Sequence, residues 1–392
     1  MMKRILPLLL LIGAICPVAA QYAFDPDLME RLRTEYRAAD PNAVQAVERV
    51  AKTAEKFLSV KPLTVTAKKR LPPSTDKRDY QTQSPYWWAD PSKEDGMPYI
   101  RRDGERNPEV YEYPERENAG RLSNMTRTLG LLYYVTDDER YAVKCAELLR
   151  VWFLDAKLGM NPNMTYAQMI PGRVVGRGAG IIDARHMTYA LNAAALIDAS
   201  PAWTVEDRAG LRQWASAFLY WLEHSTNGQK EMAASNNHGV WYDAIRLIAA
   251  RTADETDRVR EIAEQSLAPR FAAQVAEDGS LPAELARTLS LHYSTFTLEA
   301  LSVARNMAAD TGYDLWMLPE AQRALAYLIP YYENPETWPH AQIAPFAQRR
   351  AAVLLYEAGR ALDKSDWIGI ARRIGYKDGK ADYETMLFFE LQ

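Results

Sequence analysis

Apolar residues recur at spacings of three and four through most of the chain, the period of α-helices that each bury one face. Residues 27 to 38 and 42 to 59 open the pattern, the second with Val44, Val47, Val50, Ala51 and Ala54 on one stripe and Pro41 at its entry. Residues 60 to 115 break it, because Pro62, Pro72, Pro73, Pro85, Pro91, Pro98, Pro108 and Pro114 exclude long helices. A connector of that length packs over a surface and contributes to a site. The helical period returns near 118 to 136, 138 to 154, 183 to 199, 204 to 225, 237 to 251, 254 to 274, 287 to 310, 318 to 332, 344 to 362 and 365 to 374. Asp137 and Asp138, Thr204 with Glu206 and Asp207, and Thr252 with Asp254 read as N-caps and acidic first turns at short joints, so successive helices run antiparallel. Strand signals are almost absent. Roughly a dozen helices in hairpins, without a solenoid period, predict an all-α fold, an α/α toroid that is closed or nearly so. The loop at 155 to 182 and the segment before 118 then wall a central cleft.

The first twenty residues have a different pattern. Lys3 and Arg4 precede an apolar run from Ile5 to Ile15, then Cys16, Pro17, Val18, Ala19 and Ala20, which predicts a signal peptide cleaved after Ala20 and a periplasmic or secreted protein. Ile15 stands where lipidation of Cys16 would need a small residue, and the run is too short for a stable membrane anchor. Residues 21 to 392 then form one catalytic domain with Cys145 as its only thiol, so stability rests on core size rather than on disulfides.

Composition narrows the chemistry. A net charge of -4 excludes nucleic-acid binding through bulk positive charge, so a polyanion would need a local basic groove. Ten Trp and 22 Tyr against 9 Phe favour rings with a polar edge, which suit stacking on sugars and also suit a large helical core.

Three stretches carry candidate chemistry. Asn236, Asn237, His238, Trp241 and Tyr242 crowd a predicted helix start, where an N-cap and a structural histidine are the plain alternative. In Glu284-Leu-Ala-Arg287-Thr-Leu-Ser290-Leu-His292-Tyr293, one continuous helix would put Arg287 and Tyr293 on nearly opposite sides. Arg287 therefore belongs to an entry turn, from which its guanidinium can fold toward the Tyr293 hydroxyl, or it pairs with Glu284. Asn161, Asn163, Gln168, Arg173 and Arg177, with Gly172, Gly176, Gly178 and Gly180, predict a flexible cationic loop able to approach an acidic polymer. The five histidines form no two-histidine helical pair, so no metal site and no cofactor are expected.

Taken in order, Asn161 to Gln168, Gly176 to Asp183, Asn236-Asn237-His238, Glu284 to Thr288 and Leu291-His292-Tyr293-Ser294 resemble the alginate lyase superfamily of polysaccharide lyases. The likeness is closest to the glucuronan and alginate lyases of family thirty-eight, more distant to the mannuronate lyases of family five, and covers roughly 80 to 370. It implies an α/α toroid and β-elimination of acidic polysaccharides such as alginate, polymannuronate or glucuronan, with no obligatory metal; beyond the polysaccharide, no nucleic acid and no protein partner are expected. Residue by residue, it puts the catalytic tyrosine on Tyr293, the histidine on His238, the asparagine on Asn237 and the arginine on Arg287. Asn163, Gln168, Arg173, Arg177, Trp241 and Tyr242, with Asn124 and Trp88, are the expected sugar contacts. Ser294, Thr295 and Phe296 depart from the family-five pattern after the tyrosine, which bears on strict mannuronate specificity.

Elimination requires loss of the C5 proton, which is acidic only when the adjacent carboxylate is neutralised; Asn237 and His238 are the candidates for that. A phenol of ordinary pKa near 10 is a weak base, so Tyr293 needs a cation, and Arg287 would supply it. In mannuronate and glucuronate H5 and O4 lie on one side, so one tyrosine can serve as base and then acid, whereas guluronate would need a second base such as His238. Two alternatives remain: a hydrolase using Glu284 and Asp183 as its carboxylates, and a non-catalytic polysaccharide-binding protein.

Overall fold

The computed structural model describes residues 24–375 and 380–391; the expected leader at 1–20 lies outside them. Two helices come first, α1 (Pro26–Arg37) and α2 (Pro41–Leu58). Asp25 and Asp40 cap them by accepting backbone N–H groups, each followed by a proline whose missing donor is no loss in a first turn.

The irregular stretch holds three short strands, β1 (Gln81–Gln83), β2 (Trp87–Trp88) and β3 (Ile100–Arg101). Then α3 (Glu115–Thr136), α4 (Glu139–Leu149), strand β4 (Tyr166–Met169), α5 (Ala184–Leu196), α6 (Val205–His224), α7 (Thr226–Met232) and α8 (Asn237–Thr252) follow. The remainder comprises α9 (Thr256–Glu261), α10 (Ala268–Ala272), α11 (Pro282–Leu285), α12 (Ser290–Ala308), α13 (Pro319–Glu333), α14 (Gln348–Ala361), α15 (Ser365–Ile374) and α16 (Tyr383–Leu387).

Packing sorts these into two layers, as the all-α toroid predicts. Helices α3, α5, α8, α12 and α14 touch in that order, and α4, α6, α13 and α15 pack outside them. Arg349 on α14 bonds Asp382 and Glu384 at the start of α16, which itself packs on α3, so α16 links the last inner helix to the first. One apolar cluster fills the space between layers and runs from Phe24 to Leu391.

Sequence and structure differ in instructive places. Thr204 is the expected N-cap of α6 and forms a capping box with Asp207, and Asp138 caps α4, but Asp137 is the left-handed C-cap of α3, and Asp254 at φ 66° ends rather than opens a helix. The expected helix over 254 to 274 is interrupted by a π-turn at Ile262–Leu267, just before Pro269, whose nitrogen has no hydrogen to donate. The helix expected from 287 begins at Ser290. The few strands pair the two stretches expected to wall the cleft, since β1 lies parallel to β4 with Gln81 opposite Tyr166.

The glycines of the 172–180 loop give close packing rather than flexibility. A Cβ on Gly176 would stand 2.0 Å from the Thr165 carbonyl oxygen, and one on Gly180 would stand 2.4 Å from that of Ala167.

Candidate active site

The inner helices all begin on one side of the ring. Arg116, Arg185, Asn237, His238, His292, Tyr293, Arg349 and Arg350, all in or next to a first turn, line a cleft of about 910 Å³. Helix N-termini carry partial positive charge and unpaired N–H groups, so this arrangement favours an anionic ligand in a chain of net negative charge.

Tyr293 sits in the first turn of α12, 7 % exposed, and its hydroxyl is 2.8 Å from that of Tyr86. Arg287 precedes the helix in the expected entry turn, but its Cζ lies over the face of the tyrosine ring, 3.7 Å from the centroid, rather than at the hydroxyl. Its partner is not Glu284. Asp103, from the irregular stretch, accepts from Arg287 Nε at 3.0 Å and Nη2 at 2.8 Å, and also from the Thr288 backbone N–H and hydroxyl. Burial pushes the Asp103 carboxyl up, but these bonds outweigh it and hold it far below the usual range. Burial also pushes the Tyr293 phenol well above its ordinary value, helped by Tyr86 and opposed by Arg287. Tyr293 is therefore held as a neutral phenol.

Asn237 opens α8 and is fully buried. Its backbone N–H and Nδ2 both donate to Glu284, at 2.6 and 2.8 Å, which fixes the amide with Oδ1 unpartnered and leaves one Nδ2 hydrogen free. His238 Nδ1 lies 2.6 Å from Glu231 Oε1 on α7. When the ring is neutral, Nδ1–H donates to that carboxylate and Nε2 keeps its lone pair.

The expected sugar contacts divide. Gln168, Arg177 and Trp241 line the cleft. Gln168, held at φ 50°, donates to Asp183 and accepts from Arg177 Nη2 at 2.9 Å. Arg173 lies at the rim with its Cζ 5.1 Å from the ring of Trp87, which lines the cleft. Four residues fall elsewhere. Asn163 donates to Asp79 at 3.1 Å and ties two loops together. Tyr242 is buried in the core with its hydroxyl on the Leu222 carbonyl, because its place on α8 points between the layers. Asn124 lines a separate hollow beside α3, and Trp88 faces away from Trp87, as neighbours in a strand must, donating to the Glu105 carbonyl.

Asp103, Glu231 and Tyr86 escaped the sequence. Asp103 and Tyr86 lie in a stretch with no periodicity, and α7 fell in a gap between expected helices; the Tyr86-Trp87-Trp88 aromatic run was the one available signal. The carboxylates proposed for hydrolysis are occupied structurally: Glu284 holds Asn237, while Asp183 accepts from Thr82 at 2.9 Å and Gln168 at 3.0 Å, and both are buried behind the cleft wall. Among the described residues no group of His, Cys, Asp and Glu could hold a metal ion, and no helix is long and apolar enough to cross a membrane.

A solved alginate lyase from Bacteroides ovatus is 34% identical, covering 96% of this chain and 100% of that one, with a TM-score of 0.88. Alginate lyase A1-III from Sphingomonas species A1 shares the fold at 16% identity and a TM-score of 0.53, covering 86% and 94% of the two chains. A tetrasaccharide complex of A1-III aligns at 18% identity and a TM-score of 0.52, covering 81% and 88%. No curated protein matches the sequence. A family model described as alginate lyase matches residues 64–338, and with it the chain belongs to the alginate lyase family and is a polysaccharide lyase.

Proposed function

We propose that this lyase cleaves 4-linked uronate polymers of the alginate and glucuronan type, with Tyr293, Arg287, His238 and Asn237 as its catalytic set. The observation that carries the assignment is Tyr293 with the Arg287 guanidinium over its ring face and the Tyr86 hydroxyl against its own, in a cleft that also holds His238 bonded to Glu231.

The substrate carboxylate is neutralised by the free Nδ2 hydrogen of Asn237 and by cationic side chains of the cleft, so that loss of the C5 proton gives a stabilised enediolate. The C4–O4 bond then breaks, a C4=C5 double bond forms, and the leaving O4 takes a proton from neutral Tyr293. For guluronate, His238 is the base: Glu231 holds Nδ1–H, aims the Nε2 lone pair and stabilises the imidazolium that forms. For mannuronate and glucuronate, Tyr293 acts on both atoms. It must first ionise, which burial and Tyr86 oppose and the Arg287 charge over the ring favours. The predicted leader at 1–20 suits an enzyme that meets such polymers outside the cytoplasm.

Tyr293→Phe tests the assignment. It keeps the ring under Arg287 and removes only the hydroxyl, so the absorbance of unsaturated ends released from polymannuronate should fall by about 1,000-fold or more with melting unchanged. Turnover within about tenfold of the parent would remove Tyr293 from the mechanism.

A further inference from the structure

Arg185, in the first turn of α5, lines the cleft. Among the described residues its guanidinium has no hydrogen bond and no ion pair; its contacts are with rings, its Cζ 5.1 Å from the Phe296 centroid and 6.0 Å from that of Trp241. The nearby carboxylates are already engaged, Glu299 by Arg350 and Asp183 by Thr82, Gln168 and Arg116. Burial, then the neighbouring Arg116, push Arg185 down to about 10, so it remains a cation at neutral pH.

A half-buried charge without a counter-ion costs stability, and its removal would benefit the empty protein. A nearby histidine shows the same field: burial, then Arg350, Arg185 and Arg287, hold His292 down to about 3. The cation is also close to the chemistry. Phe296 bridges the two, its ring centroid 6.5 Å from that of Tyr293 on one side and near Arg185 on the other. That separation suits a sugar next to the one being cut rather than the reacting ring.

We infer that Arg185, resting on the Phe296 and Trp241 rings, binds the carboxylate of the uronate adjacent to the cleaved bond and so makes the enzyme require consecutive uronates. This rests on the uronan reading above and adds a residue with no part in the proton transfers. The planar guanidinium offers two parallel N–H donors to a carboxylate, and the rings beneath keep it flat and partly desolvated.

Binding without turnover separates this from the lyase assignment. In a Tyr293→Phe background, a mannuronate tetramer is titrated calorimetrically into the protein with Arg185, Arg185→Met and Arg185→Lys, and the neutral mannose tetramer serves as the control. Arg185→Met should weaken uronate binding by about tenfold to a hundredfold, Arg185→Lys should recover part of it, and melting of the ligand-free Met variant should be equal or higher. Equal uronate affinity in the Met variant overturns the inference, as does a lower melting temperature, which would make Arg185 a structural cation. In parallel, the parent enzyme is assayed for elimination on polymannuronate. Elimination with an unaffected Met variant refutes only the Arg185 site; Arg185-dependent binding without elimination refutes the lyase reading and leaves the site standing.

Discussion

If Tyr293 takes the C5 proton of mannuronate, the rate follows the fraction of phenolate, and two opposite charges beside the ring set that fraction. Arg287 Cζ is 3.7 Å from the ring centroid. At an effective dielectric constant of about 20 a unit charge at that range is worth about 4 kcal/mol; the phenolate charge sits mainly on the more distant oxygen, so about 2 to 3 kcal/mol acts, roughly two pKa units. Asp103 stands behind the guanidinium and opposes it, with about half the effect at its greater distance. Removing the cation raises the phenol pKa, so the phenolate fraction falls at any given pH and the alkaline limb moves up. Removing the anion does the reverse. Because the phenol titrates well above its ordinary value, Arg287→Met should lower kcat/KM by about 100-fold at any given alkaline pH, and Asp103→Asn should raise it by about tenfold. Asparagine keeps one carbonyl oxygen for the guanidinium, which helps hold Arg287 over the ring. The assay is the absorbance of unsaturated ends from polymannuronate, followed from neutral into alkaline pH. Changes of the same sign in the two variants, or a parent kcat/KM that does not rise with pH, would refute Tyr293 as the base.

Other residues give separate tests. Glu231→Gln keeps an acceptor for His238 Nδ1 but loses the charge that stabilises the imidazolium, so on a wild type that cuts both polymers, polyguluronate turnover should fall about 100-fold and polymannuronate turnover less; an equal loss on the two would deny His238 the role of base. Arg177→Ala should raise KM more than it lowers kcat, and Arg173→Ala, at the rim, should do so more weakly; steady-state kinetics showing kcat and kcat/KM falling together would place that arginine at the transition state. Glu284→Gln sets an amide N–H against one of the two Asn237 donors, so denaturant unfolding should show a loss of about 1 to 3 kcal/mol and kcat should fall with the misplaced amide. An unchanged kcat would mean that the orientation of Asn237 does not matter.

The helical layers were legible because burial writes itself into sequence at the period of the helix, and because caps such as Thr204 with Asp207 act within one turn. The entry turn at Arg287 could be placed for the same local reason: a helix starting at Ser290 brings Tyr293 round toward it. The family motifs likewise lie within short stretches and pointed to the lyase chemistry. What the tertiary structure decided were pairings between distant segments that no local period encodes. Arg287 meets Asp103 across 184 positions and Tyr293 meets Tyr86 across 207, through a proline-rich stretch whose path depends on the surface beneath it. Burial also reversed simple expectations: it made Tyr293 a weaker acid despite its cation, placed Tyr242 in the core, and packed the 172–180 glycines against backbone. Sequence determined which residues could do the chemistry; packing of remote chain decided which of them face the cleft and in what state of charge, because desolvation and long-range ion pairs exist only once the chain has folded.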